Sequence, residues 1–299
     1  MAERVLGARP AAARPLAAVA LVTALALVWG VNWPVMKRAL TEVDVWTFRA
    51  VCAAGAGLVF LSLLKLSGRK LYVPQAERRP LLIAALLNIT IWPLASTIAL
   101  TMYPAGASSI VAYTMPAIAA AIGSVVLKER FTARRLAALA LGMAGLAALM
   151  APTGVTAGAA WMLGGAVFWA FGMIQVKRTR WTIPTSTMSA WQTFIGGVPA
   201  LALALVLGDW AAWTTVSAVG AASIAYSVLL SSILGHWMWF RMVGLFPIAV
   251  TGVSSLAVPV VGVLSGALLL GERIGAPELL ALTLVVPAIW LVLFERRPK

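Results

Sequence analysis

Cysteine is almost absent from this chain of 299 residues: Cys52 stands alone, which excludes an intramolecular disulfide and any multi-cysteine metal site. Histidine is equally scarce, with His236 the single example. Acidic side chains number 9 against 23 Lys and Arg, and charged residues make up only 11% of the chain. The nine acids, Glu3, Glu42, Asp44, Glu77, Glu129, Asp209, Glu272, Glu278 and Glu295, all fall in loops, in tails or within about a turn of the end of an apolar run. Proton exchange through a membrane-embedded carboxylate is therefore not expected. With no metal-ligand cluster and no phosphate-binding loop in the sequence, neither a metal nor a cofactor is expected.

What is abundant is apolar surface. Hydrophobic residues make up 62% of the chain and mean hydropathy is +0.96, a composition that suits lipid rather than water. A spanning helix takes roughly 20 apolar residues. Ten such runs are predicted, near 16–36, 46–65, 80–101, 105–127, 132–151, 158–177, 186–208, 218–241, 248–270 and 276–294. The net charge of +14 is distributed as an orientation signal. All the Lys and Arg except Lys37, Arg38, Arg49 and Arg273 fall on one side of these spans, so the positive-inside rule places both termini in the cytoplasm. Lipid is the implied partner of such a surface, and no nucleic-acid partner is expected. The Arg-flanked start, RPLAAVALVTALALVWG, superficially resembles a secretory leader. It runs on into Asn32-Trp33-Pro34 without a small-residue cleavage site, so it is expected to remain as the first helix.

The chain also repeats itself. Pro104 and Pro247, Pro116 and Pro259, Gly123 and Gly266, Glu129 and Glu272, and Arg130 and Arg273 are each 143 positions apart, while Trp29, Lys37 and Arg38 recur as Trp169, Lys177 and Arg178 at an offset of 140. Duplication accounts for this, with one repeat over 1–151 and the other over 152–299. Five spans per repeat is an odd number, so the second copy has to enter the membrane from the opposite face. The expected fold is thus an all-α integral membrane protein of ten helices in two inverted five-helix repeats. Transporters of this architecture place the substrate near the midplane between the halves.

The ten spans, the Trp29-Gly30-Val31-Asn32 stretch, and the Pro-plus-Glu-Arg endings of spans four and nine resemble the drug/metabolite transporter superfamily with its two EamA-type repeats. The aromatic-rich interior is similar to that of the YddG-type aromatic amino-acid exporters. This resemblance implies a transporter that works by alternating access, not an enzyme. The first helix lacks the embedded glutamate of the superfamily's small multidrug antiporters; it offers only Thr23 and Asn32.

Candidate substrate-binding residues follow from polarity and aromaticity at depth. In the third span Asn88, Trp92 and Ser96 recur every four residues and share a face. Tyr113 and Thr114 precede Pro116, as Thr251, Ser254 and Ser255 precede Pro259; both prolines kink their helices and are the expected hinges. Trp169 lies mid-span, while Trp191 and Gln192 lie in the inner half of the seventh span. Trp92 and Trp169 are too deep for an interfacial belt, so they either pack the core or line the site. His236 is either a neutral lining or packing residue or a proton carrier. No Lys or Arg is expected at depth, which argues against phosphorylated cargo. A Ser108–His236 dyad is rejected because the two should lie roughly 15 Å or more apart at opposite ends of their spans.

These residues point to an exporter of neutral, including aromatic, amino acids in a bacterial inner membrane, working without ion coupling. The expected wall contains Asn88, Trp92, Tyr113, Trp169, Gln192, His236, Ser254 and Ser255. Two alternatives stay open: a proton-coupled exporter of lipophilic cations using His236, and a membrane enzyme or scaffold that transports nothing. Oligomeric state is open too, a monomer being compatible with the sequence.

Overall fold

The computed structural model describes residues 15–113, 115–126, 132–150, 156–246, 251 and 255–293, and among these the only regular structure is helical. In hydrocarbon no water is available to satisfy backbone N–H and C=O groups, so each apolar run must satisfy its own by coiling. Apart from a short 3-10 helix at Ala211–Thr215, the helices are α1 (Pro15–Ala39), α2 (Val45–Leu66), α3 (Gln75–Met102), α4 (Ala105–Ala112), α5 (Met115–Val126), α6 (Ala133–Met150), α7 (Ala157–Arg178), α8 (Thr185–Leu207), α9 (Ala218–Leu245), α10 (Ala257–Leu270) and α11 (Ala276–Leu293). Six of them, α1, α2, α3, α7, α8 and α9, are long and apolar enough to cross a membrane.

Local sequence explains most starts and stops. Asp44, Thr156 and Ser217 cap α2, α7 and α9 by accepting from backbone N–H groups of the first turn. Pro74, Pro104 and Pro184 stand immediately before α3, α4 and α8. Gly271, with φ of 67°, ends α10 in the left-handed region.

The fourth predicted span is not one helix. It is divided at Tyr113 into α4 and α5, and the residues before α10 turn in the same way at Leu256, 143 positions later. Proline is the cause. Its ring clashes with the carbonyl four residues back; for Pro116 that residue is Ala112, the last of α4, and for Pro259 it is Ser255, the residue before the turn. The predicted hinge prolines therefore open α5 and α10. Pro259 is buried, and nothing is described of the Pro116 side chain.

Three of the long helices contain π-helical stretches: Val51–Gly55 in α2, Leu86–Ile91 in α3 and Ser227–Gly235 in α9. Such stretches widen a helix and release carbonyls from the regular ladder. The one in α3, moved by 143 positions, falls inside the one in α9. At Gly197 helix α8 reaches α2 backbone to backbone: an added Cβ there would lie 2.1 Å from the Ala54 nitrogen. The α3 stretch joins the same contact, since the Thr90 hydroxyl donates to the Gly196 carbonyl at 2.6 Å.

Helix directions follow from the contacts. Along α7, Gly158, Gly165 and Gly172 face Ala99, Ala95 and Asn88 of α3 in turn, so the two helices run antiparallel. Lys37, at the end of α1, donates to the Tyr103 carbonyl just past α3 at 2.7 Å. Lys177, at the end of α7, donates to the carbonyls of Val243 and Phe246 at the end of α9, at 2.9 and 2.7 Å. Phe246 follows Tyr103 by 143 positions and Lys177 follows Lys37 by 140. The same lysine-to-carbonyl contact thus occurs at opposite ends of the bundle.

Candidate substrate cavity

Between α1, α2, α3, α7 and α9 lies a cavity walled mainly by rings. Trp169 is its centre. It stacks on Trp92 with centroids 4.6 Å apart and planes inclined by 18°, and meets Tyr113 edge-on at 6.3 Å. Trp29 and Trp239 complete the cluster at 5.6 and 5.2 Å from Trp169. Aromatic pairs of this kind are worth about 0.5–1.5 kcal/mol each beyond simple burial, so the cluster is cohesive as well as apolar. Trp29 is held by a hydrogen bond from its indole N–H to the Ser231 carbonyl at 3.1 Å, an acceptor within the π stretch of α9. Gly235 makes room for it: a Cβ there would stand 2.2 Å from the indole nitrogen.

Polar groups interrupt the rings. The Ser227 hydroxyl donates to Asn32 Oδ1 at 3.0 Å, and His236 Nδ1 lies 2.9 Å from the Ser232 carbonyl, with its ring edge-on to Trp29 at 5.6 Å. Ser96 and Ser231 also face the cavity. Its volume is about 70 Å³, room for a few waters but not for an amino acid.

Four of the predicted wall residues meet here: Trp92, Tyr113, Trp169 and His236 all line the cavity. Asn88 and Gln192 do not. They are fully buried against each other, Asn88 Nδ2 donating to Gln192 Oε1 at 3.2 Å, and join α3 to α8. Ser255 is buried before α10 and is not part of the wall described here, while Ser254 lies outside the described residues. Ser108 is buried in α4 and is not among the residues that line the cavity with His236.

The absence of Lys or Arg at depth has to be corrected, because Arg49 lines the cavity. Asp44 starts α2 early enough that Arg49 is already in its second turn, where it faces inward. Its Nε donates to the Thr97 hydroxyl and its Nη2 lies 2.8 Å from the Met36 sulfur. Its place near the start of a span groups Arg49 with the loop charges by position alone, whereas Asp44 as an N-cap reads as a helix start that carries Arg49 inward. The α9 serines were missed as well. Ser227, Ser231 and Ser232 precede His236 at helical spacing, and that periodicity was the available signal.

The sequence pattern of the EamA-like transporter family matches residues 16–151 and again 156–294. The uncharacterized transporter YvbV of Bacillus subtilis is 29% identical over 284 residues, covering 91% of this chain and 90% of its own. The inner membrane transporter YedA of Escherichia coli K12 is 27% identical over 92% of each chain. A Salmonella typhimurium protein named "Probable amino-acid metabolite efflux pump" is 28% identical over 66% of this chain and 70% of its own. One solved structure shares the fold, with a TM-score of 0.70 at 16% identity over 90% of this chain and 95% of that one.

Proposed function

Because the chain belongs to the EamA-like transporter family and is therefore a membrane transporter, we propose that it exports neutral amino acids, aromatic ones included, across a bacterial inner membrane by alternating access. The observation that carries this reading is the Trp92–Trp169 stack with Tyr113 at its edge, set in a cavity whose other groups are mostly neutral amides, hydroxyls and carbonyls. Rings stack on an apolar side chain or on an ammonium, and the amide and hydroxyls take the polar end. Two relatives named as amino-acid metabolite efflux pumps are consistent with that cargo.

The architecture behind it is ten spans in two inverted five-span repeats with both termini cytoplasmic. Three repeated features support it: the helix breaks at Tyr113 and Leu256, the π stretches of α3 and α9, and the lysine contacts at opposite ends of the bundle. Two similar halves can exchange conformations, which gives inward-open and outward-open states of nearly equal energy. In the collapsed cavity the indoles must part to admit cargo.

Counterflow of labelled amino acids in proteoliposomes, at matched and unmatched pH, tests the reading. Wild type should exchange phenylalanine, tryptophan or leucine without needing a pH gradient, and Trp169→Ala should slow exchange by roughly tenfold or more if the ring contacts cargo. Exchange of none of these overturns the cargo class. Exchange of lipophilic cations, driven by a pH gradient and abolished by His236→Gln, would favour the second reading, for which the place of His236 in the wall is the one supporting observation. Arg49 in the same wall weighs against it, since a fixed cation repels a cationic drug.

A further inference from the structure

We propose that Arg49 is the residue that recognises a carboxylate on the cargo; this rests on the amino-acid reading above and sharpens it to solutes bearing a free carboxyl group. A guanidinium in the interior of a membrane bundle is expensive unless its charge is met. Among the described residues the groups that engage the Arg49 guanidinium are neutral: the Thr97 hydroxyl, the Met36 sulfur and the face of Phe48, whose ring centroid is 5.4 Å from Cζ. Among the described residues the two ion pairs are Arg38–Glu42 and Lys37–Glu272, and Arg49 is in neither. It lines the cavity, so a solute admitted when the indoles part meets it there.

The fit is chemical as well as spatial. Arginine presents donors in a planar fork that matches a carboxylate bidentately, and two of its nitrogens, Nε and Nη2, are already engaged on weak neutral acceptors that a carboxylate oxygen outcompetes. Thr97 and Met36 pre-orient the fork, which lowers the ordering cost of binding. The Trp92–Trp169 stack shares the cavity, so an amino acid held by its carboxylate at Arg49 has aromatic surface available for its side chain.

The experiment uses the purified full-length protein with L-phenylalanine, its amide, phenethylamine, which lacks the carboxyl, and 3-phenylpropionate, which lacks the amine. Ligand-induced thermal shifts and counterflow are compared for wild type, Arg49→Lys and Arg49→Gln. Wild type should respond to phenylalanine and phenylpropionate and much less to the amide and the amine. In Arg49→Gln the half-saturating concentration for phenylalanine should rise by roughly tenfold or more, the loss expected for a charge-assisted hydrogen bond, and the preference for acid over amide should vanish. Arg49→Lys should fall between, and it carries the test if the Gln variant does not fold. Equal losses for acid and amide, or an unchanged preference, would overturn the carboxylate role. A wild type that moves no amino acid but is stabilised by phenylpropionate through Arg49 sinks the amino-acid reading and leaves this site standing. One that moves acid and amide alike does the reverse.

Discussion

Asn88 and Gln192 show what a polar side chain does in this bundle when it is not facing the cavity. Each is sealed from solvent, and beyond their single mutual hydrogen bond Asn88 Oδ1 and Gln192 Nε2 have no partner among the described residues. Replacing either one alone strands the other, so Asn88→Ala or Gln192→Ala should each destabilise the protein by about 1–3 kcal/mol, read as a lower melting temperature in detergent. The double replacement Asn88→Leu with Gln192→Leu should recover part of that loss, and KM should stay near wild type throughout. These two were expected in the wall because polar residues at helical spacing look alike in sequence whether they line a cavity or zip two helices together. Trp92, Tyr113, Trp169 and His236 were legible for a different reason: large rings and a lone imidazole far from either interface have few other uses. Arg49 was not legible from charge counting, which treats every cation near the end of a span as a loop residue.

At the scale of the element, α2 depends on its N-cap residue. Asp44 accepts from Trp46 N–H at 2.8 Å, Thr47 N–H at 3.1 Å and the Thr47 hydroxyl at 2.6 Å, and also holds the Asp209 N–H at 3.1 Å. Asp44→Ala should cost about 1 kcal/mol, while Asp44→Asn, which keeps a capping oxygen, should cost less. Burial pushes the Asp44 carboxyl up, but the hydrogen bonds from Thr47, Asp209 and Trp46 outweigh it and hold the group below the ordinary carboxylate value. A pKa lower in the folded than in the unfolded state stabilises at neutral pH, and the benefit disappears as pH falls through the lowered value. The melting difference between wild type and Asp44→Ala should therefore be full at pH 7 and shrink below about pH 4. Helix breaks were readable at this scale through Pro116 and Pro259. The π stretches were not, since an inserted residue leaves the apolar composition of a helix unchanged.

At the scale of the molecule, Lys37 and Lys177 fasten opposite ends of the bundle, and Lys37 also lies 4.0 Å from Glu272, whose carboxylate accepts from Ala105 and Gly106 N–H at the start of α4. Glu129, the repeat partner of Glu272, lies outside the described residues. In the alternating-access reading each lysine holds one end closed. With Cys52→Ala as background and Ser96→Cys as reporter in the cavity, Lys37→Gln should raise labelling by an impermeant maleimide from one membrane face and Lys177→Gln from the other, each by roughly two- to tenfold. Equal effects from one face would reject the pairing. The recurrence of Pro, Gly and Glu-Arg at fixed intervals is legible in the sequence; how full the cavity is cannot be read there, because it depends on side-chain conformation. One contact limits how that space can change. Where α8 sits on α2, Gly197 stands against the Ala54 main chain, and one residue earlier Gly196 is packed against the Ile89 side chain and accepts from the Thr90 hydroxyl of α3. In the alternating-access reading, packing this close ties α2, α3 and α8 into one lever, with the proline breaks as the expected pivots.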